Sequence, residues 1–358
     1  MTRDHSTTGG VMILAGGTGG HIFPGLAVAR QLIAEQVRVT WLGTPHGLEN
    51  RLVPAAGIEL ERVGIQGLRG RGIAGWLAAP VRILRAMVQA RRILRRRRPG
   101  CVLSLGGYAA GPGGLAARLL GIPLVVHEQN AIPGLTNRLL APLASRVCTG
   151  FPSTFDKAVV TGNPVRPEIA ALPAPQIRFA GRTGRLNLVV IGGSQGAQVF
   201  NETVPAALAR LPAAKRPVVL HQAGKQQQQA QNQYKKAGVQ ARVVDFVDDM
   251  AGTWAGADFA LCRAGALTVA ELAAAGVPAI LVPFPHAVDD HQTANARFLS
   301  EAGAAWLVSQ DEFSQTWLAE RIESLDRNLL AEMAARARNL ARPDAASAVA
   351  AVCREVMA

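Results

Sequence analysis

The stretch that decides the fold is Val11-Met12-Ile13-Leu14-Ala15-Gly16-Gly17-Thr18-Gly19-Gly20-His21, near the start of the chain. A short apolar run breaks into four glycines, after which apolar residues between 22 and 33 recur at helical spacing. This pattern predicts a buried strand, a tight turn and a helix. Glycines permit positive φ and close approach of a phosphate or another backbone. The free N–H groups at the start of the helix favour an anionic ligand.

A second unit of the same kind is Leu188-Val189-Val190-Ile191-Gly192-Gly193-Ser194-Gln195-Gly196-Ala197. One strand–turn–helix unit in each half, within a repeated β–α–β alternation, predicts an α/β protein of two Rossmann-like parallel-sheet domains facing each other across a cleft. Prolines and polar residues cluster at 161–167, and we place the boundary there. The predicted domains are residues 1–164 and 165–343, with a terminal helix at 344–358 that packs back on the first domain.

The spacing of apolar residues and the positions of turn-forming residues also predict the other main strands and helices. The predicted strands are 37–42, 58–65, 101–105, 124–127, 186–191, 217–221, 242–246, 258–261 and 279–282. A long helix is predicted at 81–97, ended by Pro99-Gly100. The glutamine run 226–229 is interpreted as an exposed helix or loop without function.

Composition limits the class of protein. The chain has 358 residues, of which 49% are hydrophobic, enough for two domains with sizeable cores. No apolar run approaches the roughly 20 residues of a membrane span, and the polar N-terminus does not resemble a signal peptide. The four cysteines are far apart in the sequence and form no metal or redox pair, so we expect small buried hydrophobes in a reducing cytoplasm.

The net charge of +13 is unevenly distributed. No acidic residue occurs between Glu61 and Glu128, whereas arginines are abundant there, most densely at 91–98. Such a block can bind nucleic acid or anionic lipid. It is equally compatible with a solvated helix face in a chain rich in arginine. A nucleic-acid-binding protein should carry aromatic residues among its arginines, but only Trp76 and Tyr108 lie in this region, so we expect no nucleic-acid partner.

A dinucleotide-dependent dehydrogenase is the first alternative suggested by a glycine turn. Its fingerprint requires glycines spaced G-x-G-x-x-G and an acidic residue at the end of the second strand. Here the glycines stand at 16, 17, 19 and 20, and the second strand ends Trp41-Leu42-Gly43-Thr44 without an acid. The sequence therefore argues against this class.

A third stretch carries chemistry in the second half: Cys262-Arg263-Ala264-Gly265-Ala266-Leu267-Thr268-Val269-Ala270-Glu271. A strand ends there in a small-residue turn, and the amides of the following helix can meet a phosphate or a sugar hydroxyl. Glu271 lies about one turn into that helix, where a carboxylate can accept two ribose hydroxyls. The alternative is that Glu271 is a charge favoured in a first helical turn.

Six short motifs occur together in one order, and they resemble those of the bacterial MurG family. They are Ala-Gly-Gly-Thr-Gly-Gly-His at 15–21, Gly-Gly-Tyr at 106–108, His-Glu-Gln-Asn at 127–130, Gly-Asn-Pro-Val-Arg at 162–166, Gly-Gly-Ser-Gln-Gly-Ala at 192–197 and the stretch 262–271. The resemblance covers about residues 11–350. It implies a glycosyltransferase B fold and inverting transfer of N-acetylglucosamine (GlcNAc) from UDP-GlcNAc to the C4 hydroxyl of undecaprenyl-pyrophosphoryl-MurNAc-pentapeptide (lipid I), giving lipid II for peptidoglycan.

The resemblance also implies a set of site residues. Thr18, Gly19 and Gly20 would lie beside the donor sugar and the reaction centre, Asn130 would bind GlcNAc, and Arg166 and Ser194 would bind the nucleotide phosphates. The backbone of Val247 would meet uracil, while Ala266, Leu267, Thr268, Val269, Ala270 and Glu271 would hold pyrophosphate and ribose. Gln292 would touch the sugar, although the segment after Phe284 departs from the family pattern in length. Gly106, Gly107 and Tyr108 would face the acceptor, and a serine usual in that motif is replaced here by alanine.

His21 is the candidate general base, because imidazole can accept a proton near neutral pH. Acceptor binding or a structural role are its alternatives, and Glu128 or His127 could be the base instead. No Asp-x-Asp metal motif follows a strand near the proposed phosphates. We therefore expect no metal and no tightly bound cofactor, with Arg166 and helix amides stabilising departing UDP.

A lipid-linked acceptor implies contact with a membrane. Trp76, Leu77, Arg82 and Arg85 lie in a segment rich in apolar and basic residues, which predicts reversible attachment to anionic lipid without a spanning helix. The alternative is an ordinary helix whose core face is Val81, Leu84, Val88 and Leu94. The resemblance places the protein on the cytoplasmic face of the inner membrane, and other cell-wall synthesis proteins are further candidate partners. A related fold with other chemistry, such as a UDP-GlcNAc 2-epimerase or a diacylglycerol glycosyltransferase, remains open at this point.

Overall fold

The computed structural model describes residues 9–65, 79–152, 155, 157–193 and 195–357. The chain forms two compact units. The first, called here the first domain, comprises Met1–Arg166 and Arg342–Ala358, and the second domain comprises Pro167–Ala341. The division falls two residues after the predicted boundary, so that Arg166 belongs to the first domain.

The first domain contains a seven-stranded parallel sheet in the order β3-β2-β1-β4-β5-β6-β7. Its strands are β1 Val11–Leu14, β2 Val39–Gly43, β3 Glu59–Arg62, β4 Cys101–Ser104, β5 Leu124–Glu128, β6 Arg146–Thr149 and β7 Val159–Val160. Its helices before the boundary are α1 Gly19–Ala34, α2 Glu49–Ala55, α3 Ala79–Arg97, α4 Ala110–Leu119 and α5 Leu135–Leu140. Ile13 of β1 is in register with Trp41 on one side and Leu103 on the other. All three side chains are fully buried, as expected of a parallel sheet covered on both faces.

The second domain contains a six-stranded parallel sheet in the order β10-β9-β8-β11-β12-β13. The strands are β8 Asn187–Ile191, β9 Val218–Gln222, β10 Arg242–Val244, β11 Phe259–Cys262, β12 Ala279–Leu281 and β13 Ala305–Leu307. The helices are α6 Pro167–Ala170, α7 Pro175–Phe179, α8 Gln198–Arg210, α9 Gln227–Lys236, α10 Met250–Gly256, α11 Ala266–Ala275, α12 His291–Ser300, α13 Gln315–Glu323 and α14 Arg327–Asn339. The fold class expected from the sequence, two Rossmann-like parallel-sheet domains, is confirmed.

The last helix, α15 Ala345–Glu355, packs on α1, β4 and β5 of the first domain. Its residues Val349, Ala350 and Cys353 are fully buried in the core below that sheet. Cys101 and Cys148 lie in the same cluster, and the Cys353 thiol interacts with Cys101. The fold thus brings together three cysteines that are far apart in the sequence. All four cysteines are free and buried, and burial raises the pKa of Cys148 to about 12, as expected of inert hydrophobic thiols.

Strand order positions the functional turns. In each sheet the order reverses once, between β1 and β4 in the first domain and between β8 and β11 in the second. Ligands of open α/β sheets bind outside the carboxyl ends of the strands at such a switch point. The glycine turns that follow β1 and β8 lie at these two positions.

Three sequence expectations need correction. Strands β6, β7 and β13 are absent from the predicted set. Strand β7 has only two residues and β6 begins with the exposed Arg146, so neither of these two strands gives a clear apolar run. The run 226–229 is only partly exposed, because Gln226 is half buried and accepts a hydrogen bond from the buried Asn201.

The alternative prediction, that Val81, Leu84, Val88 and Leu94 form the core face of α3, is also wrong. Val81, Leu84 and Val88 are 53%, 55% and 41% exposed, and only Leu94 of the proposed four is buried. The helix instead packs through its small residues Ala79, Ala86 and Ala90 together with Ile93 and Leu94, and its neighbour is α4.

Candidate active site

The turn after β1 is the first element of the site. Gly17 has φ +91°, a conformation that strains any side chain, and Thr18 is the extended N-cap residue of α1 without a side-chain capping bond. Thr18 and Gly20 are exposed. The first-turn amides of α1 have no partner within the helix. Thr18, Gly19 and Gly20 therefore present N–H groups to an anion or to polar sugar groups at the switch point.

The turn after β4 packs directly against the first turn. Gly106 and Gly107 have φ of +95° and +86°. A Cβ atom on Gly107 would approach the carbonyl oxygen of Gly16 to 2.6 Å, and one on Gly106 would approach Nε2 of His21 to 3.2 Å. Both glycines are needed for this close approach, whereas Tyr108 next to them is half exposed.

His21 lies on the first turn of α1, against Gly106. Its Nδ1 is buried and has no hydrogen-bond partner of standard geometry among the described residues. Burial lowers the pKa of His21 below its ordinary 6.5, while the negative charge of Glu128 and the Gly16 carbonyl oppose that effect. The imidazole is therefore neutral near pH 7 and can accept a proton.

Glu128 ends β5 and is almost fully buried. One carboxylate oxygen accepts hydrogen bonds from the backbone N–H and the side-chain amide of Asn130, at 2.9 and 3.1 Å. The other accepts from Gly134 N–H and from Asn137 Nδ2, at 3.1 and 2.9 Å. Four donors on one carboxylate hold the loop after β5 in place. This geometry favours a positioning role for Glu128 rather than that of the base.

His127 is fully buried in β5. Its Nε2 lies 3.0 Å from the Gly162 carbonyl and its Nδ1 lies 3.0 Å from the side-chain amide of Gln129. These partners assign the ring proton to Nε2. Both nitrogens are thus occupied, which excludes His127 as the base and makes it a support for the segment before the domain boundary.

Arg166 lies in the first domain with its guanidinium 5.6 Å from the centre of the Phe23 ring. Phe23 belongs to α1, one turn beyond the glycines. Arg166 is half buried and so keeps part of its surface at this end of the sheet.

Glu49 is a residue that the sequence analysis missed. It begins α2, is fully buried, and accepts a hydrogen bond from the Gly17 N–H at 3.1 Å. It also accepts from the N–H and the hydroxyl of Thr44, at 2.8 and 2.7 Å. Nothing in the local pattern around Glu49 distinguishes it from an ordinary first-turn acid.

In the second domain, α11 begins at the switch point. Its N-cap Gly265 is extended and makes no side-chain capping bond, so the amides at the start of α11 are available. Leu267, Thr268 and Ala270 are half exposed, whereas Ala266 and Val269 are buried. Glu271, 8% exposed, accepts a hydrogen bond from Trp254 Nε1 at 3.3 Å.

Gln292 joins two loops of the second domain. Its Oε1 accepts hydrogen bonds from the N–H groups of Ala264 and Phe284, at 3.2 and 2.9 Å. Gln292 lies at the end of the segment after Phe284 that departs from the family pattern in length. Arg263 secures the same loops by donating to the Val282 and Pro283 carbonyls.

The remaining candidates of the second domain stand on other turns. Val247 is buried beyond the end of β10, and Ser194 lies outside the described residues. In the turn that contains Ser194, Gly196 has φ +80° and a Cβ atom there would meet the side chain of Gln226 at 3.1 Å. Gln226 therefore supports this turn.

The basic segment has two distinct parts. Arg82 and Arg85 are exposed at the start of α3, among the exposed apolar residues Val81, Ile83 and Leu84. At its end, Arg96 and Arg97 pair with Glu61, and Arg97 also pairs with Glu59. Trp76 and Leu77 lie outside the described residues.

Two absences hold for the part of the chain that the structure describes. There, no group of three or more His, Cys, Asp or Glu side chains is arranged to hold a metal ion. Over the same residues, no helix has both the length and the apolarity needed to cross a membrane.

Comparisons with known proteins identify the family of the chain. The model of the glycosyltransferase family 28 N-terminal domain matches residues 11–149, and that of the family 28 C-terminal domain matches residues 187–349. One relative is the UDP-N-acetylglucosamine–N-acetylmuramyl-(pentapeptide) pyrophosphoryl-undecaprenol N-acetylglucosamine transferase of Alkalilimnicola ehrlichii. It is 57% identical over 96% of this chain and 98% of its own length. The enzyme of the same name from Azotobacter vinelandii is 54% identical over 97% and 98%.

Among solved structures, Acinetobacter baumannii MurG is 43% identical, with a TM-score of 0.83 over 96% of this chain and 99% of that one. The agreement extends over both domains and both glycine turns. The chain belongs to glycosyltransferase family 28 and, within it, to the MurG family of N-acetylglucosamine transferases.

Proposed function

We propose that this protein transfers GlcNAc from UDP-GlcNAc to the C4 hydroxyl of lipid I and so forms lipid II. The observation that carries the proposal is the pair of switch-point sites, each built for one substrate. The second domain offers the start of α11 and Glu271, groups suited to a nucleoside diphosphate. The first domain offers the glycine turns and a neutral His21, groups suited to a hydroxyl acceptor.

The reaction is a single displacement at the anomeric carbon. The C4 oxygen of the acceptor attacks C1 of GlcNAc from the face opposite UDP, the C1–O bond to the phosphate breaks, and its electron pair leaves with UDP. His21 takes the proton of the attacking hydroxyl. Arg166 and the amides at the start of α11 stabilise the charge on the departing diphosphate. Glu128 holds Asn130 where its amide can bind the GlcNAc. Neither a metal nor a tightly bound cofactor is required by these steps.

The test is incubation of the purified full-length protein with UDP-GlcNAc and lipid I, followed by mass spectrometry. We expect lipid I to gain one GlcNAc residue and one UDP to be released for each. A protein that consumes UDP-GlcNAc without any acceptor would be an epimerase, and that outcome would overturn the proposal. So would transfer to diacylglycerol in preference to lipid I.

Membrane attachment at the cytoplasmic face is part of the same proposal. Val81, Leu84 and Val88 form an exposed stripe along α3, and Arg82 and Arg85 flank it. In a β–α–β crossover the helix runs antiparallel to the strands, so the start of α3 lies at the same end of the sheet as the glycine turns. An arginine near an anionic bilayer contributes about 1 kcal/mol of attraction. A few such residues hold the protein reversibly beside its lipid-linked acceptor.

Co-sedimentation with anionic vesicles tests this surface. A variant with Val81→Ser, Leu84→Ser, Arg82→Gln and Arg85→Gln should bind roughly tenfold or more weakly, because it loses apolar area and about two charges. The matched control is Arg96→Gln, since Arg96 is already paired with Glu61 and should contribute little. Equal binding of wild type and the fourfold variant, or an equal loss in the control, would contradict the assignment.

A further inference from the structure

The glycine turn after β1 is contacted by a charged side chain from outside the motif, that of Glu49. Two other contacts on this turn come from Trp41, whose Nε1 donates to the Ala15 carbonyl at 2.8 Å, and from Gly107, which packs on Gly16. Among the described residues, Glu49 is the side chain that accepts a hydrogen bond from an amide of the turn, the N–H of Gly17.

The surroundings of Glu49 are built around its side chain. Three glycines from different segments line it, and a Cβ atom on any of them would collide with it. Gly16 would meet Oε1 at 2.7 Å, Gly43 would meet Cγ at 2.7 Å, and Gly47 would meet Oε2 more closely still. The three glycines leave the space that the Glu49 carboxylate occupies in this orientation.

Burying this carboxylate is costly, since an ionised group loses its hydration. Three hydrogen bonds to Gly17 and Thr44 compensate, and none of the ion pairs found among the described residues involves Glu49. Hydrogen bonds to a charged acceptor are stronger and more directional than neutral ones. The arrangement therefore favours one orientation of Gly17 over others.

The orientation of Gly17 determines which amides reach a ligand. Its own N–H is turned back towards Glu49, so the N–H groups of Thr18, Gly19 and Gly20 are the ones that remain at the exposed side of the turn. A negative charge directly behind the turn also disfavours an anion at Gly17 itself. An anionic or hydroxyl-bearing substrate is thereby directed to the start of α1, next to His21.

We propose that Glu49 is a positioning residue for acceptor binding, acting through Gly17 to hold the turn in its binding conformation. This inference rests on the proposed function in one respect, namely that the acceptor binds at this turn. It predicts that loss of the Glu49–Gly17 bond weakens use of lipid I, while binding of the nucleotide in the second domain is unaffected.

The decisive variant is Glu49→Gln. The amide keeps the size of the side chain and one oxygen for Thr44, but it places an NH₂ group or a weaker acceptor at the Gly17 N–H. We expect the KM for lipid I to rise about ten- to a hundredfold, the usual effect of losing a hydrogen bond to a charged group. The change in kcat should be smaller, and the affinity for UDP measured by calorimetry should be unchanged.

The control is Thr44→Val, which removes one hydrogen bond to Glu49 but retains the bond to Gly17. Its KM for lipid I should change far less than that of Glu49→Gln. Equal KM effects in the two variants, or an unchanged KM in a folded Glu49→Gln protein, would overturn the proposal. So would a parallel loss of UDP affinity, which would indicate a general loss of structure.

Amide exchange in the wild-type protein gives a second, independent measurement. The Gly17 N–H should be strongly protected, while those of Gly19 and Gly20 exchange rapidly until lipid I is added. Rapid exchange at Gly17 would refute the role of Glu49 even if no variant folds. If the wild type fails to glycosylate lipid I but Gly17 is protected, the proposed acceptor is wrong while the positioning of the turn by Glu49 stands.

Discussion

At the scale of single residues, the polar side chains of the first-domain site have two different roles. One can accept a proton from a substrate, and the others hold the surrounding loops in place. Glu128 and His127 have their polar atoms occupied by neighbouring donors and acceptors. His21 keeps a buried Nδ1 without such a partner and has a lowered pKa. A base must be unprotonated at working pH, and His21 is the one of the two histidines whose ring nitrogens are not both bonded to neighbouring groups.

His21→Ala should lower kcat by about 10²–10⁴-fold, the usual contribution of a positioned general base. In the wild type, kcat/KM should rise with pH through a pKa below 6.5 and then stay level, because the deprotonated imidazole is the active form and burial lowers its pKa in the free enzyme. His46→Ala is the matched control, since His46 is exposed in the same domain. Wild-type turnover in His21→Ala at saturating substrates would exclude the catalytic role.

Glu271 is the residue at which donor binding can be tested. Glu271→Ala should weaken UDP binding by roughly 1.5–3 kcal/mol through loss of a hydrogen bond to a charged group. Because Trp254 Nε1 bonds the same carboxylate, Trp254→Phe separates the two effects: it removes the support but keeps the carboxylate. Isothermal calorimetry should rank wild type above Trp254→Phe and Trp254→Phe above Glu271→Ala. Unchanged affinity in folded Glu271→Ala would contradict the assignment.

At the scale of elements, the main strands and the two glycine turns could be predicted because buried parallel strands give continuous apolar runs. The short edge strand β7 gives no such signal. Contacts between distant segments give no signal in the sequence either: Glu49 to Gly17, Gln226 to the second-domain turn, and Arg263 to the segment after β12. These side chains meet their partners only in the tertiary fold, and no local periodicity or spacing in the sequence predicts such contacts.

Helix α3 illustrates why a periodic pattern can mislead. Apolar residues at 81, 84 and 88 predict a core-facing stripe, yet the helix turns its alanines inward and leaves that stripe exposed. Small residues permit close packing against α4, while the larger apolar residues remain outside, beside arginines. Apolar residues at helical spacing indicate that a helix has two different faces, but they do not indicate which face is buried.

The packing of helix α15 on the first domain can be tested by its contribution to stability. Val349→Ala should lower the free energy of unfolding by about 2 kcal/mol, because a fully buried side chain is truncated against α1 and the sheet. Val352→Ala makes the same change at a half-buried position and should cost less. Hydrogen exchange should increase in the first domain only. Equal costs for the two variants, or increased exchange confined to the second domain, would show that the packing is wrongly described.

At the scale of the whole molecule, two domains with separate sheets need not share one unfolding transition. The C-terminal segment belongs to the first domain, so that domain is completed only when the end of the chain is in place. The second domain, by contrast, is continuous in sequence. Hydrogen exchange resolved along the chain therefore describes stability better than a single melting temperature does.

The dependence of stability on pH follows from buried histidines. His221 in β9 is fully buried, with Nδ1 3.0 Å from the Tyr234 hydroxyl, and burial lowers its pKa from 6.5 to about 4. Burial lowers the pKa of His21 and His127 as well. Unfolded chains bind a proton on each of these groups at a higher pH than the folded protein does. The stability that the neutral forms supply is therefore complete above pH 6.5 and is lost as the pH falls, for His221 towards pH 4.

For His221 alone the loss amounts to roughly 3 kcal/mol between these limits. Urea unfolding of the second domain, followed by hydrogen exchange at pH 7.5, 6, 5 and 4.5, should show the free energy of unfolding falling with pH. His221→Gln removes the titrating group, so the second domain of that variant should lose less stability over the same range, even if it starts from a lower value. Tyr234→Phe keeps the histidine and should retain the steep dependence. If wild type and His221→Gln lose stability in parallel, protonation of His221 is not the cause.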